Sequence, residues 1–161
     1  DLPHALLDAG LREEAINLLL KKETPSWLFE VKMGATTTWE RWDSILPNGE
    51  ISGTDMNSLN HYAYGAVEDF IIEKLVGIQL PNVLDDTETY VIQPNFTNRL
   101  EWVKGALQTA NGELSVSWRY SGDEVLVDVI LPGRTIAKYV SSNGDEIYLK
   151  PGHNKMKDVI V

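Results

Sequence analysis

The first part of the chain carries its apolar residues at helical spacing. Between residues 11 and 22 they recur with a period of about 3.6 along one side, at Leu11, Ala15, Leu18 and Leu19. Glutamates open this segment and lysines close it, as the helix dipole favours. We expect an amphipathic helix here, a second short helix from Pro25 to Lys32 capped by Gly34, and a third over residues 60–76.

The pattern changes further along the chain. Residues 36–58 form a loop rich in Pro, Asn, Gly and Ser, and after Pro81 apolar and polar residues alternate. This alternation predicts strands over residues 114–120, 125–129 and 136–140. Turn signals stand between them, at Asn111-Gly112, Ser121-Gly122, Pro132-Gly133 and Asn143-Gly144. The predicted fold class is α + β in separate segments, with an antiparallel β-sandwich as the second segment.

Two domains follow from this division. Residues 1–79 hold a few helices with more apolar and aromatic surface than so few helices can cover, so we expect them to be the end of a larger helical domain. Residues 80–161 provide enough strands to enclose a small two-sheet core of their own.

Charge and composition narrow the range of partners. The chain has 14 basic and 24 acidic residues and a formal charge of −10, which repels nucleic acid and anionic membrane surfaces. Its apolar runs are far shorter than the roughly 20 residues that span a bilayer, so we expect a soluble chain. It has no cysteine, which excludes disulfides and thiol chemistry. The start at Asp1-Leu2-Pro3, without an initiator Met, indicates a processed chain or a fragment and leaves its compartment open.

The first candidate for chemistry is a carboxylate inside the loop. Glu40 stands between Trp39 and Trp42 and beside Arg41. Indole faces can pack on sugar rings, and a glutamate can accept a proton from water, so this combination suits carbohydrate chemistry. On composition alone the simpler interpretation leads, with ordinary loop charges and two Trp residues that anchor the loop.

A second polar cluster covers residues 57–65, at the expected start of the third helix. Ser58 or Asn60 can cap that helix, and His61 falls in its first turn, where it would face any ligand bound at this helix end. The alternative, a histidine that makes only a local hydrogen bond, is favoured if nothing else is known.

Together the two clusters resemble the end of the catalytic domain of bacterial α-L-rhamnosidases. That family's pattern runs close to Gly-Ala-Thr-Thr-x-Trp-Glu-Arg-Trp-Asp, matched here by residues 34–43. A second stretch, Ser-x-Asn-His-Tyr-Ala-Tyr-Gly-Ala-Val, is matched by residues 58–67. Pro25-Ser26-Trp27-Leu28 also fits. The resemblance covers nearly the whole chain, strongly over residues 25–78 and more loosely over the strands. Departures such as Glu68, Phe70 and Ile72 leave room for a divergent substrate preference.

The resemblance implies both a fold and a set of roles. The fold would be the last helices of an (α/α)6 barrel followed by a jelly-roll-like β-sandwich. Glu40 would be the general base of an inverting glycosidase, His61 a contact to rhamnose in the −1 pocket, and Trp39 and Trp42 the wall and support of that pocket. The substrate would be a rhamnose-containing glycoside or polysaccharide, with no cofactor.

One element of the family's site has no counterpart in this chain. No segment here matches the motif that bears the general acid, and an inverting enzyme needs its acid roughly 6.5–9.5 Å from the base. We therefore expect the acid and the rest of the catalytic domain to lie upstream, and we expect the chain alone to be inactive. In this resemblance the compartment could be the bacterial cytoplasm, the periplasm or the outside of the cell.

Other classes of function are not excluded by fold alone. The chain could be a non-catalytic module whose sandwich binds carbohydrate or buttresses the barrel. Trp102 and Trp118 on one exposed face would favour binding, but alternation places Trp118 among buried residues, which favours buttressing. A metal site is poorly supported because the histidines are scattered, at His4, His61 and His153, and Asp85-Asp86 is typical of a solvated linker.

Overall fold

The computed structural model describes residues 2–53, 55–82 and 88–159. The pair Asp85-Asp86 therefore lies outside the described residues. The chain divides into two compact units, Asp1–Phe70 and Ile71–Val161. In the described part of the chain, every helix is too short or too polar to cross a bilayer.

The first unit is helical and irregular. Its helices are α1 (Leu2–Asp8), α2 (Arg12–Leu20), α3 (Trp27–Lys32) and α4 (Val67–Phe70), the last preceded by a 3-10 turn over Ala63–Ala66. The first two predicted helices are confirmed as α2 and α3. Ser26 caps α3 by accepting a hydrogen bond from the Phe29 N–H, and Gly34 follows it at a φ of +83°, in the left-handed region that glycine adopts without strain.

The core of the first unit is small. Its buried apolar side chains come from four helices and the loop, and they are Pro3, Ala15, Ile16, Leu19, Phe29, Trp39 and Phe70.

The prediction of one regular helix over residues 60–76 was wrong. The chain forms the 3-10 turn, the four-residue α4 and then a π-helix over Ile71–Val76. Residues 60–62 lie outside all of these elements, because the backbone of His61 bonds to the loop instead of to a helical turn. The apolar spacing that suggested a helix is real, but its geometry changes twice along the segment.

The second unit is a sandwich of two four-stranded sheets. One sheet has the order β1-β2-β6-β7 and the other β3-β4-β5-β8. The strands are β1 (Ile78–Gln79), β2 (Thr89–Ile92), β3 (Trp102–Thr109), β4 (Gly112–Ser121), β5 (Glu124–Leu131), β6 (Ile136–Val140), β7 (Glu146–Leu149) and β8 (Gly152–Asp158). The three predicted strands are confirmed as β4, β5 and β6. All pairs are antiparallel except β2 with β6, which is parallel.

Strict alternation builds the core of this unit. Along β4 the residues Leu114, Val116 and Trp118 point inward, and each is at most 1% exposed. The prediction that Trp118 is buried is confirmed, and its indole N–H donates to the carbonyl of Leu75 at 2.7 Å. Trp102, in contrast, is 65% exposed.

A polar cluster links the two sheets of the sandwich, with Tyr139 on β6 and Asp158 on β8. The buried carboxylate of Asp158 accepts short hydrogen bonds from the hydroxyls of Tyr139 and Ser142. It also accepts from the backbone N–H groups of Ser142 at 3.0 Å and Val159 at 2.8 Å. Burial raises the pKa of Asp158, but these hydrogen bonds outweigh burial and leave that pKa below its usual value.

Candidate functional site

Hydrogen bonds join the two polar clusters of the sequence side by side within the first unit. The N–H of Glu40 donates to the carbonyl of Ser58 at 2.9 Å, and the N–H of His61 donates to the carbonyl of Thr38 at 2.8 Å. The Thr38 hydroxyl returns a bond of 2.7 Å to the His61 carbonyl. The Thr37 hydroxyl bonds to the carbonyl of Leu59. We call this pairing of residues 37–41 with residues 56–61 the loop ladder.

Glu40 is held by one of its two carboxylate oxygens. The backbone N–H of Ser58 donates to Oε2 at 2.7 Å, and the side chain is half-buried. Among the described residues, no donor is bonded to Oε1. One oxygen therefore fixes the direction of the carboxylate, and the other is available to a water molecule or a ligand.

His61 is oriented by a local bond. Its Nδ1 lies 3.2 Å from the Ala63 N–H and accepts from it, which leaves the proton of the neutral ring on Nε2. The ring also stacks on Tyr62, with centroids 5.3 Å apart. The expected cap by Ser58 or Asn60 is not formed, since the 3-10 turn at Ala63 begins without a side-chain cap.

The two tryptophans of the first motif have different surroundings. Trp39 is 2% exposed and meets Phe29 edge to face in the core. This burial leaves no indole face open to a sugar in this chain, so direct substrate contact by Trp39 does not fit the structure, and Trp39 anchors the loop instead. Trp42 is partly exposed and stacks on Tyr64 at 4.1 Å.

Trp27 supports that stacked pair. Its ring meets Trp42 edge to face with centroids 4.7 Å apart, and its indole N–H donates to the carbonyl of Tyr64 at 2.8 Å. Each member of the trio therefore fixes a neighbour, so Trp42 is placed by packing and not by the loop backbone alone.

Polar side chains add further hydrogen bonds within the loop. The Arg41 guanidinium donates to the carbonyl of Met56 at 2.6 Å. The buried hydroxyl of Ser44 donates to Asn57 Oδ1 at 2.6 Å, and the Asn57 amide returns a bond to the Ser44 carbonyl. The loop over residues 36–58 is therefore a bonded structure, with a bridge between Ile45 and Ile51 at its turn.

Several residues that build the site were not singled out by sequence reasoning. Thr37 and Thr38 bond through their hydroxyls, and their signal was a run of small hydroxyl residues. Ser58 was expected only as a helix cap, but it holds Glu40 through its backbone N–H. Glu30 was also missed. It is 3% exposed in α3 and accepts a hydrogen bond from the Trp39 N–H at 3.2 Å. A glutamate between Phe29 and Val31 gives no sequence signal of burial.

Comparison with known proteins defines the class first. Residues 2–75 match the sequence profile described as the bacterial α-L-rhamnosidase six-hairpin glycosidase domain. Residues 88–154 match the one described as the bacterial α-L-rhamnosidase C-terminal domain. The helical unit and the sandwich are thus similar to two successive domains of one kind of glycosidase.

Individual relatives agree with that class. The chain is 36% identical over 141 residues to an α-L-rhamnosidase of Alteromonas sp., covering 86% of this chain. It is similar to the crystal structure of an Aspergillus terreus α-L-rhamnosidase, with a TM-score of 0.88, 30% identity and 98% of this chain covered. It is also similar to a Streptomyces avermitilis α-L-rhamnosidase solved in complex with L-rhamnose, with a TM-score of 0.75, 26% identity and 96% covered.

The chain belongs to the bacterial α-L-rhamnosidase family. It matches only a part of those relatives, since it spans 15% of the Alteromonas protein, 18% of the Aspergillus chain and 16% of the Streptomyces chain. The predicted fold class, helices followed by a β-sandwich as in this family, is confirmed by the matching structures.

Proposed function

We propose that this chain forms one part of the active site of a longer enzyme that removes terminal α-L-rhamnose from glycosides or polysaccharides with inversion at the anomeric carbon. In this proposal Glu40 is the general base and His61 contacts the sugar. Trp42 forms part of the pocket wall, and Trp39 supports it from inside.

The geometry of Glu40 is the observation that carries the proposal. A general base needs a carboxylate with a fixed direction and a free oxygen within hydrogen-bond reach of the water it activates. Glu40 meets both requirements, because Ser58 holds Oε2 while Oε1 has no protein donor among the described residues. Water bound at Oε1 would lose its proton there as it attacks the anomeric carbon from the face opposite the leaving group.

His61 supports the assignment of a sugar pocket. With Nδ1 accepting from Ala63, the ring presents an N–H donor at Nε2, which suits a sugar hydroxyl. The ladder ties the His61 backbone to Thr38, two residues before Glu40. The base and the proposed sugar contact therefore rest on one bonded framework, which is what precise placement requires.

The general acid is proposed to come from outside this chain. Hydrolysis with inversion needs a second carboxyl roughly 6.5–9.5 Å from the base, on the other face of the sugar. The sequence has no match to the family's acid motif, and the chain spans 15% of its Alteromonas relative. We propose that residues 1–79 complete the catalytic barrel and that residues 80–161 buttress it.

Buttressing is favoured over carbohydrate binding for the sandwich. Its large aromatic residue Trp118 is 1% exposed and bonded to Leu75, so it has no free face for a sugar. Trp102 and Tyr148 are exposed, but they lie in different sheets, and an isolated ring is a weak platform for a glycan.

The test is substitution of Glu40 in the longer enzyme. Using an aryl α-L-rhamnoside, we expect Glu40→Gln to lower kcat about a thousandfold, whereas the matched control Glu68→Gln, on an exposed side chain, leaves kcat unchanged. Proton NMR of the first product should show the inverted anomer. Full activity of Glu40→Gln, or release of the retained anomer, contradicts the proposal.

A second measurement concerns the 161-residue chain by itself. We expect no turnover of the aryl rhamnoside, because the base alone cannot protonate the leaving group. Turnover by the chain that disappears in Glu40→Gln would show that the acid lies within these residues and would overturn that part of the proposal.

A further inference from the structure

Glu30 is a buried carboxyl with almost no partners. Its side chain is 3% exposed, in α3 next to the buried Phe29. Oε2 accepts one hydrogen bond, from the Trp39 N–H at 3.2 Å, and Oε1 is buried without any partner. No ion pair among the described residues includes Glu30.

Such a group is costly to the fold. A buried carboxyl must lose its hydration, and a single hydrogen bond does not replace it. Burial raises the pKa of Glu30, and the hydrogen bond from Trp39 only partly opposes this rise. An apolar residue of the same length would fill the same space without this cost. Stability therefore does not account for a glutamate here.

What the carboxyl does is to hold the Thr38–Trp39 peptide, which lies one residue before Glu40. The Trp39 N–H donates to the Glu30 carboxylate, and the next N–H along the chain, that of Glu40, donates to the Ser58 carbonyl. The backbone carbonyl of Glu30 also accepts from the Ala35 N–H at 3.0 Å, which fixes the start of the same loop. The Thr38–Trp39 peptide is thus held by Glu30, and the next peptide, Trp39–Glu40, is held by Ser58.

We propose that Glu30 is a positioning residue, which sets the direction of the Glu40 carboxylate by fixing the Trp39 backbone. This inference rests on the proposed function of Glu40 as the base. Glu30 itself touches no substrate in this proposal, since its side chain is closed to solvent. Loss of its bond frees the peptide to rotate, and small displacements of a base are costly to the chemical step.

The experiment compares two substitutions in the longer enzyme. Glu30→Gln keeps an oxygen that can accept from Trp39, whereas Glu30→Met keeps the length and removes the acceptor. We expect Glu30→Met to lower kcat about tenfold with KM nearly unchanged, because placement of the base acts on the transition state and not on sugar binding. We expect Glu30→Gln to restore most of that loss. Melting temperatures report whether each variant is folded.

The outcomes separate this inference from the proposed function. If Glu40→Gln abolishes activity but Glu30→Met leaves kcat at the wild-type value, Glu30 has no positioning role and the assignment of Glu40 stands. If Glu30→Gln lowers kcat as much as Glu30→Met does, the hydrogen bond from the Trp39 N–H does not position the base, and the inference also fails. If the longer enzyme has no rhamnosidase activity, it is the proposed function that fails.

A measurement without any substitution covers the case in which Glu30→Met does not fold. In the wild-type 161-residue chain, the Trp39 amide should be protected from hydrogen exchange to the same degree as the Glu40 amide, since both are bonded. Free exchange at Trp39 beside protection at Glu40 would overturn the inference.

Discussion

Two buried carboxyls, one in each unit, are held in contrasting ways. Asp158 in the sandwich accepts hydrogen bonds from two hydroxyls and from two backbone N–H groups. Glu30 in the helical unit accepts one bond and keeps an unpartnered oxygen. The pKa of Asp158 lies below its usual value because its hydrogen bonds outweigh burial, whereas the pKa of Glu30 lies above its usual value because burial dominates.

The two carboxyls therefore affect stability differently. Asp158 stabilises its unit, whereas Glu30 destabilises the unit that contains it. A fully bonded buried carboxylate contributes to stability, while a poorly bonded one reduces it. The poorly bonded one holds the backbone of the residue next to the candidate base, and the fully bonded one lies in a sandwich to which we assign no chemistry. This departure from polar satisfaction thus lies next to the proposed site.

The largest effect that tests this contrast concerns the core of the sandwich. Trp118→Ala removes a fully buried indole and its bond to Leu75, and we expect it to lower the free energy of unfolding by about 3–5 kcal/mol. Trp102→Ala, its matched exposed control, should change it by no more than about 0.5 kcal/mol. Denaturant unfolding followed by circular dichroism measures both. Equal effects would mean that the apolar core is not what holds this unit.

The next effect concerns Asp158 and pH. The pKa of Asp158 is lowered on folding. Its contribution to the free energy of unfolding is therefore present above the unfolded-state pKa of about 3.9, and it is lost as the pH falls through the folded-state pKa. We expect Asp158→Asn to cost about 1–3 kcal/mol at pH 7, with the difference from wild type shrinking as the pH falls below about 4. Unfolding titrations at several pH values check this, and a difference that is constant with pH would contradict it.

Glu30 should behave with the opposite sign. The pKa of Glu30 is raised on folding. Its contribution to the free energy of unfolding is therefore fully present below the unfolded-state pKa of about 4.3, and it is lost as the pH rises through the folded-state pKa. Raising the pH should therefore destabilise the wild-type helical unit relative to Glu30→Gln, by about 1.4 kcal/mol for each unit of pKa difference. Hydrogen exchange of peptides from α3 and the loop follows this unit separately. If the wild-type unit becomes more stable relative to Glu30→Gln as the pH rises, this prediction is wrong.

The smallest effect concerns one bond of the loop ladder. Thr38→Val removes the hydroxyl that donates to the His61 carbonyl and keeps the shape of the side chain, so we expect a loss of about 1 kcal/mol. Thr36→Val, on an exposed neighbour, is the control and should have no effect. The same exchange measurement on residues 36–61 reads out both. Equal protection in the two variants would show that the ladder depends on its backbone bonds alone.

The sandwich could be predicted well because its signals are local. Alternation along β4 assigns each side chain to a face, and Gly112 and Gly144 adopt the positive φ that their turns require. The parallel pairing of β2 with β6 could not be predicted, because it joins residues 89–92 to 136–139 and has no local signature.

The site was predicted only in part. Glu40, His61 and Trp42 were singled out by residue type and by resemblance, and the structure brings the segments of Glu40 and His61 together. Their roles stay predictions. The ladder and the burial of Glu30 depend on contacts between residues 9 to 23 positions apart. A periodic pattern carries no information about such pairings, and for the same reason the third helix was wrongly extended back to residue 60.

The loop ladder also bears on how the length of the chain can vary. Its hydrogen bonds fix residues 37–41 against residues 56–61, whereas the turn between them, around Asn48 and Gly49, is exposed. Residues inserted at that tip would only lengthen a surface hairpin, at a small entropic cost. One residue inserted between Thr38 and Glu40 would shift the register of these bonds and move the carboxylate away from the Ser58 N–H that holds it. Homologous loops should therefore differ in length at the tip and keep the spacing of the ladder.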